Sequence, residues 1–91
     1  MQKARNIVGP IVRELREKQG LSQAQLAAKI NVHGWDISRE TLAKIESQIR
    51  WVADFELLEL AKALCTPAAE LLMLGEKWRK KPWQKLIAKE K

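Results

Sequence analysis

The sequence predicts an all-α fold, a bundle of five helices followed by a basic C-terminal tail. Apolar residues recur at helical spacing, and no segment alternates apolar and polar side chains as a half-buried strand does. The 91 residues include only four Gly and three Pro, so the chain has few break points. The break at Gly75 predicts a domain at residues 1–75 and a tail at residues 76–91.

The first two helices are predicted from their apolar faces and their end signals. Residues 9–19 form the first helix, with Pro10 in the first turn, where its missing N–H costs nothing. Gly20 lies just beyond the helix end, as a stop residue does. Ser22 is the predicted N-cap of the second helix, which covers residues 23–30. Their inward side chains are Val8, Ile11, Val12, Leu15, Leu26, Ala27 and Ile30.

The third helix is predicted after a loop at residues 31–36, in which Gly34 is the breaker. This helix begins at Ser38 or Arg39 and ends near Ser47, and the Ser38 side chain can cap its first turn. Its inward residues are Ile37, Leu42 and Ile45, and its outward residues are Arg39, Glu40, Thr41 and Lys44. A polar outward face on a helix with an anchored back suits contact with base edges.

The fourth and fifth helices are predicted at residues 54–64 and 67–74. Acidic side chains in the first turn of the fourth helix complement its dipole. Thr66 and Pro67 restart the chain as an N-cap and a first helical residue, and Gly75 ends the fifth helix.

Most of the net charge lies in the tail. Residues 76–91 hold seven basic and two acidic side chains, residues 1–75 hold ten and nine, and the chain totals +6. A basic segment suggests attraction to nucleic acid or to an anionic membrane surface, and the alternative is a solvated tail that aids solubility. A last short helix is predicted to begin at Pro82. Its apolar face comprises Trp83, Leu86 and Ile87.

Composition excludes several classes of site. A single cysteine, Cys65, excludes an intrachain disulfide and a cysteine-based zinc site, and one histidine, His33, cannot hold a metal ion alone. No catalytic constellation or phosphate loop is present, so we expect no enzyme activity, no cofactor and no small-molecule substrate. Apolar runs are shorter than the roughly 20 residues of a membrane span, and no apolar signal core is present. The expected location is the cytoplasm.

The second and third predicted helices contain an ordered set of motif residues. The set is Leu21-Ser22-Gln23, Leu26-Ala27, Ile37-Ser38-Arg39, Leu42 and Ile45-Glu46, and it continues in Leu57-Leu58, Leu60-Ala61-Lys62-Ala63-Leu64 and Ala69-Glu70-Leu71-Leu72. In this order it resembles the Cro/C1-type helix-turn-helix family, also called the XRE family, over about residues 8–74. The resemblance implies a lambda-repressor-like fold of five helices. Its third helix is the recognition helix, whose N-terminal half meets base edges.

The resemblance also implies a set of contacts with double-stranded DNA. Gln23 faces a phosphate at the start of the second helix, where backbone N–H groups are free. Arginine can donate two hydrogen bonds to guanine, and glutamate can accept one from cytosine. The predicted DNA-binding set is Gln23, Ser38, Arg39, Glu40, Thr41 and Lys44, with Gln48 and Arg50 added because they follow the third helix. The alternative is that Arg39 and Glu40 form only a solvated helix surface.

Arg16 and Glu46 are a further pair that the resemblance implies. They are expected to meet as a partly buried ion pair that joins the first helix to the end of the third. Charged side chains can be buried in this way only when they are paired and hydrogen-bonded. Our hypothesis is that the pair fixes the angle of the recognition helix more than it adds stability.

The sequence departs from the family pattern at two places. The link between the second and third helices is longer than the family's tight turn. We expect Trp35 to restore rigidity by packing on the core, and the alternative is that Trp35 or His33 contacts the DNA backbone. Cys65 stands where the family often has a glycine with positive φ, and we expect a buried small residue there.

These features predict a sequence-specific transcriptional regulator, a repressor that binds an operator and excludes polymerase. A homodimer through residues 67–74, the tail at residues 76–91, or both would double the DNA contacts, with half-sites about one helical turn apart. The alternative is an interaction protein of the same fold, such as an antitoxin or an anti-repressor partner. The nearly neutral charge of residues 1–75 favours it, because a DNA-binding face usually has excess positive charge. A weaker alternative is a tail that anchors the protein to a membrane or to RNA.

Overall fold

The computed structural model describes residues 3–90, and it describes the side chains of residues 3–80. Within residues 3–90 every regular element is helical, which confirms the all-α prediction of five helices. In chain order the elements are α1 (Gly9–Lys18), α2 (Gln23–Val32), α3 (Arg39–Glu46), α4 (Asp54–Ala63) and α5 (Ala68–Glu90).

One hydrophobic core holds the helices together. α1 packs against α3 and α5, α2 packs against α3 and α4, and α4 packs against α5. The largest fully buried side chains are Val12, Leu26, Ile30, Leu42, Ile45, Leu60, Leu64 and Leu71. All of these side chains are apolar and recur at helical spacing. Because each is removed from water, its burial stabilises the fold by roughly 1.5–3 kcal/mol relative to exposure. The back of α3 therefore lies in the middle of the core.

Hydroxyl caps begin two of the helices, as predicted. The Ser22 Oγ accepts from the Gln25 backbone N–H at 3.1 Å, and the Gln25 Oε1 accepts from the Ser22 N–H at 2.8 Å. The Ser38 Oγ accepts from the Thr41 N–H at 3.1 Å. Each cap satisfies backbone donors that the first turn leaves without a partner.

A residue with positive φ follows each of the first four helices. Gly20 and Gly34 have φ values of +71° and +104°, and Gln48 and Cys65 have +67° and +53°. Glycine adopts this left-handed conformation without strain, whereas a side chain there costs roughly 1–2 kcal/mol. Cys65 is exposed, so the expectation of a buried residue was wrong. In this turn the Cys65 side chain is exposed to solvent, and the Cys65 N–H donates to the Lys62 carbonyl at 3.1 Å.

The long link between α2 and α3 is held by its own hydrogen bonds. α2 extends two residues past its predicted end, to Val32, so the link begins at His33. The Asn31 side-chain amide donates to the Trp35 carbonyl at 2.8 Å and to the Ile37 carbonyl at 3.1 Å. Trp35 packs against the core, which confirms its predicted role, and His33 is exposed.

α5 continues through Gly75 to Glu90, so the predicted helix end at Gly75 was wrong. Gly75 is buried, and a Cβ there would collide with the backbone carbonyl of Ile7. Glycine is therefore explained by a close approach of the N-terminal segment and not by a helix stop. α5 begins at Ala68, so Pro67 stands just before the helix and not in its first position, and Thr66 is one residue too early to be its N-cap. The Thr66 hydroxyl donates instead to the Leu64 carbonyl at 3.0 Å.

Residues 76–90 of the tail are thus part of α5. Pro82 lies inside this helix and does not begin a new one, so the predicted short last helix was wrong. The proline was the only local signal for a new helix at this position, and α5 continues through Pro82 without a break. The predicted apolar face of Trp83, Leu86 and Ile87 lies outside the described side chains.

Candidate nucleic-acid interface

α3 presents a polar surface on one side and a core face on the other. Arg39, Glu40 and Lys44 are exposed, whereas Leu42 and Ile45 are fully buried. The helix is short, so its orientation depends on this buried face and not on its intrinsic stability. Its outward side chains therefore extend from a rigidly packed backbone.

Ser38 and Thr41, at the start of α3, already use part of their hydrogen-bonding capacity on each other. The Ser38 hydroxyl accepts from the Thr41 N–H and donates to the Thr41 Oγ1, both at 3.1 Å. The Thr41 hydroxyl, which accepts this bond, keeps its own hydrogen available for a ligand. Of the two, Thr41 is therefore the better placed to donate a hydrogen bond outside the protein.

Four of the predicted DNA-binding residues line one concavity of about 370 Å³ beside α3. Its lining residues are Gln23, Arg39, Glu40, Ala43, Lys44, Ser47 and Ile49. The first residue of α2 and the outward side of α3 thus meet at the same surface. The structure thus brings together three side chains that can donate hydrogen bonds, Gln23, Arg39 and Lys44, and the carboxylate of Glu40, which can accept them.

Arg16 and Glu46 form a buried ion pair between α1 and the end of α3. Arg16 Nε and Nη2 donate to the two carboxylate oxygens of Glu46 at 2.8 and 3.0 Å, and the two residues are 8% and 7% exposed. Arg16 Nη1 also donates to the Leu21 carbonyl at 2.8 Å. The hydrogen bonds from Arg16 to Glu46 raise the arginine pKa against the opposing effect of burial.

Gln23 extends this ion pair into α2. Its side-chain Nε2 donates to Glu46 Oε1 at 3.1 Å. Residues of α1, α2 and α3 therefore share one carboxylate, and this contact places the Gln23 amide beside α3. A contact between Gln23 and a phosphate stays a prediction.

Gln48 and Arg50 make intramolecular contacts just after α3. Gln48 Nε2 donates to the Asn6 carbonyl at 2.9 Å, and the Gln48 carbonyl accepts from the Arg5 N–H at 2.9 Å. The Arg50 guanidinium donates to both Glu56 oxygens at 3.0 and 3.1 Å, and it lies 5.8 Å from the centre of the Trp35 ring. Their predicted DNA contacts remain predictions.

Asn6 is a positioning residue that sequence reasoning missed. Its amide donates to the carbonyls of Ile45 and Arg50, at 3.1 and 2.9 Å, and its Oδ1 accepts from the Gly9 N–H. A Cβ at Gly9 would collide with the Ile45 carbonyl, so α1 starts in direct contact with the end of α3. The one local signal was an asparagine three residues before a helix start, which is typical of a turn residue.

Glu56 provides a pH-dependent contribution to stability. The hydrogen bonds from Arg50 lower the pKa of Glu56, and the Ala53 N–H lowers it further, while burial opposes both. A carboxyl with a lowered pKa stabilises the folded state above its usual value of 4.5, and this contribution is lost as pH falls through the lower folded value.

Glu56→Gln is therefore expected to reduce the acid sensitivity of folding. The difference in melting temperature between neutral and strongly acidic pH should be smaller in this variant, because the amide does not titrate. Glu14→Gln, which removes the same charge at an exposed site on α1, is the matched control. Equal acid sensitivity of Glu56→Gln and the control would contradict the role of Glu56.

Two features are absent from the described residues, a metal-binding cluster and a membrane-spanning helix. Among those residues there is no group of His, Cys, Asp and Glu that could hold a metal ion. No helix there is both long enough and apolar enough to cross a bilayer.

Comparison with known proteins identifies the fold of α1 to α5. A helix-turn-helix family model matches residues 12–71, most of the chain, from the first turn of α1 to the start of α5. No curated protein and no solved structure gives a significant match. The matched range contains α2, the link and α3 with its exposed polar side. The chain therefore belongs to the Cro/C1-type (XRE) helix-turn-helix family of DNA-binding transcription regulators.

Proposed function

We propose that the protein is a sequence-specific transcriptional repressor that inserts α3 into the major groove of double-stranded DNA. The observation that carries this proposal is the two-sided character of α3. Arg39, Glu40 and Lys44 are exposed on a helix whose other side lies in the core at Leu42 and Ile45. Such a helix can enter a groove without rearranging, so little ordering free energy is lost on binding.

The exposed side chains of α3 can discriminate between base pairs. Arg39 can donate two parallel hydrogen bonds to guanine O6 and N7, and Glu40 can accept one from the cytosine N4 amino group. Lys44, one turn further on, reaches guanine or a phosphate. Gln23 at the start of α2 completes the surface with a contact to the backbone, which positions the protein without reading sequence.

A homodimer is part of the proposal, because one domain this small makes few contacts with DNA. Two surfaces were predicted for the dimer, residues 67–74 and residues 76–91, and their residues 68–74 and 76–90 belong to the single helix α5. Leu72 and Met73 are exposed on it, and Met73 is 68% exposed. Burying these side chains against a second copy would favour dimerisation. Occupation of an operator by the dimer would then exclude polymerase.

Selection from random double-stranded DNA tests this function. We expect enrichment of a two-fold motif whose half-sites are about one helical turn apart. A purified sample that is dimeric by sedimentation and enriches no motif would contradict sequence-specific binding. A motif without two-fold symmetry would contradict the homodimer alone.

Arg39→Ala is expected to cost about 1–3 kcal/mol of binding free energy on the selected site and to relax preference at one base pair. The reason is that a two-pronged contact to one guanine is lost. Affinities for the selected site and for its single-base variants measure the effect. Arg13→Ala, at an exposed arginine on α1, is the control. If Arg39→Ala keeps the wild-type base preference at every position of the site, Arg39 does not make a base-specific contact.

A second candidate is an interaction protein of the same fold, such as an antitoxin or an anti-repressor partner. The observation that favours it is the exposure of Phe55 and Leu58 on α4, at 65% and 51%, on a body that is nearly neutral. Exposed apolar side chains that cluster mark protein contacts. The same selection separates the two candidates, because an interaction protein enriches no motif.

A further inference from the structure

A second concavity, of about 450 Å³, adjoins the outward side of α3 near its C-terminal end. Its lining residues are Arg5, Thr41, Lys44, Ile49, Arg50 and Trp51. Three of these six side chains are cationic, and none is a carboxylate. The composition of this wall therefore favours an anion.

Two of the cations are available to such an anion. Within the described side chains, neither Arg5 nor Lys44 forms a salt bridge, and both are exposed. Arg50 is different, because Glu56 already holds its guanidinium at 3.0 Å. The concavity thus presents two uncompensated positive charges, one from α3 and one from the chain before α1.

The N-terminal segment, residues 3–6, is fixed to the end of α3 by hydrogen bonds. The Arg5 N–H donates to the Gln48 carbonyl, and the Gln48 side-chain amide donates to the Asn6 carbonyl, both at 2.9 Å. The Asn6 amide in turn donates to the carbonyls of Ile45 and Arg50. The Cα of Arg5 is therefore held in place, although its side chain extends into solvent.

Trp51 forms the apolar wall of this surface. This residue is 70% exposed, and it also lines a neighbouring concavity with Lys3, Ala4 and Arg5. An indole left in water next to two basic residues fits a ligand that is both apolar and anionic. The sugar-phosphate backbone of DNA has these two properties, since the ring can cover a sugar while the N–H donates to a phosphate.

We propose that the N-terminal segment, Lys44 and Trp51 bind a backbone phosphate of the duplex beside the bases that α3 reads. Gln48 acts in this site as a positioning residue, because its side-chain amide donates to the Asn6 carbonyl and so holds the segment. The inference rests on the proposed function, since it assigns a second contact to the same DNA. A phosphate contact carries no sequence information, so Arg5 adds affinity without adding preference.

Arg5→Gln tests the site against Lys62→Gln, which removes the same charge at an exposed position on α4 that lines none of these concavities. Dissociation constants are measured by fluorescence anisotropy across a salt series, with the selected duplex and with an unrelated duplex. We expect Arg5→Gln to weaken binding of both duplexes by the same factor. The slope of log affinity against log salt should become shallower by about 0.9, the value for one phosphate contact.

Gln48→Gly tests the positioning role. Glycine adopts the left-handed conformation of this position without strain, and it lacks the side chain with its amide. The relieved strain should offset the lost hydrogen bond to Asn6, so the melting temperature should change little. We expect binding to weaken no more than in Arg5→Gln, and the double variant to bind as Arg5→Gln does, because both changes act through one contact. Additive losses in the double variant would overturn the positioning role of Gln48.

The outcomes of this series separate the two proposals. A wild-type protein that binds no duplex at any salt concentration would overturn the proposed function and this site with it. Wild-type binding together with an unchanged slope and affinity in Arg5→Gln would overturn this site alone. Equal losses in Arg5→Gln and Lys62→Gln would assign the effect to net charge and would also overturn the site.

Discussion

Glu46→Ala is expected to lower the free energy of unfolding by about 3–5 kcal/mol, because it leaves Arg16 charged, buried and without its carboxylate. The guanidinium would lose two hydrogen bonds to Glu46, at 2.8 and 3.0 Å, and Gln23 would lose a third. For a domain of this size the melting temperature should fall by more than about 10 °C. Thermal unfolding followed by circular dichroism measures the change.

Glu40→Ala is the matched control for this prediction. Glu40 lies on the same helix and is exposed, so its loss should change stability by no more than about 0.5 kcal/mol. A melting temperature of Glu46→Ala close to that of Glu40→Ala would contradict a buried, energetically coupled pair.

The double variant Arg16→Met, Glu46→Leu separates stability from positioning. Replacing a buried ion pair by apolar side chains of similar volume is often neutral or stabilising, so much of the lost stability should return. If the pair sets the angle of α3, affinity for the selected duplex should stay low although the protein is folded. Recovery of both stability and affinity would show that the pair does not position α3.

Local signals were enough to predict α3 and its exposed side. The Ser38 cap involves atoms three residues apart, and the burial of Leu42 and Ile45 follows from helical spacing alone. The residues that face away from the core must then be exposed, which gives Arg39, Glu40 and Lys44. Trp35 was predicted on the core because packing there would restore the rigidity that a longer link loses, and the ring does pack against the core.

Contacts between distant parts of the chain were not predictable in this way. Gln48 was expected to contact DNA because it follows α3. That contact stays a prediction, and the structure adds a hydrogen bond from its amide to the carbonyl of Asn6, a residue 42 positions earlier. Gln23 was expected to face a phosphate, and the structure adds its bond to Glu46, 23 positions later. A side chain with both donor and acceptor groups takes the partner that the tertiary fold supplies, and residue type does not specify that partner.

Gly75→Ala is expected to destabilise the protein, although helix propensity alone predicts the opposite. In the interior of a helix, alanine is more favourable than glycine by about 1 kcal/mol. At position 75 the added Cβ would collide with the backbone carbonyl of Ile7, which leads directly into α1. Overpacking of this kind costs about 1–3 kcal/mol, so the contact should outweigh the propensity gain. Chemical denaturation of the variant measures the net effect.

Lys77 supplies the control for the predicted loss of stability in Gly75→Ala, because it is exposed on the same helix two residues later. The difference in stability between Lys77→Ala and Lys77→Gly measures the helix propensity of α5 at an exposed position, and alanine should be favoured there. If Gly75→Ala stabilises the protein by the same amount, the close approach of Ile7 is wrong. If it destabilises, glycine at position 75 is required by the chain that crosses α5. The same change should then weaken DNA binding, because Ile7 continues directly from the segment that presents Arg5.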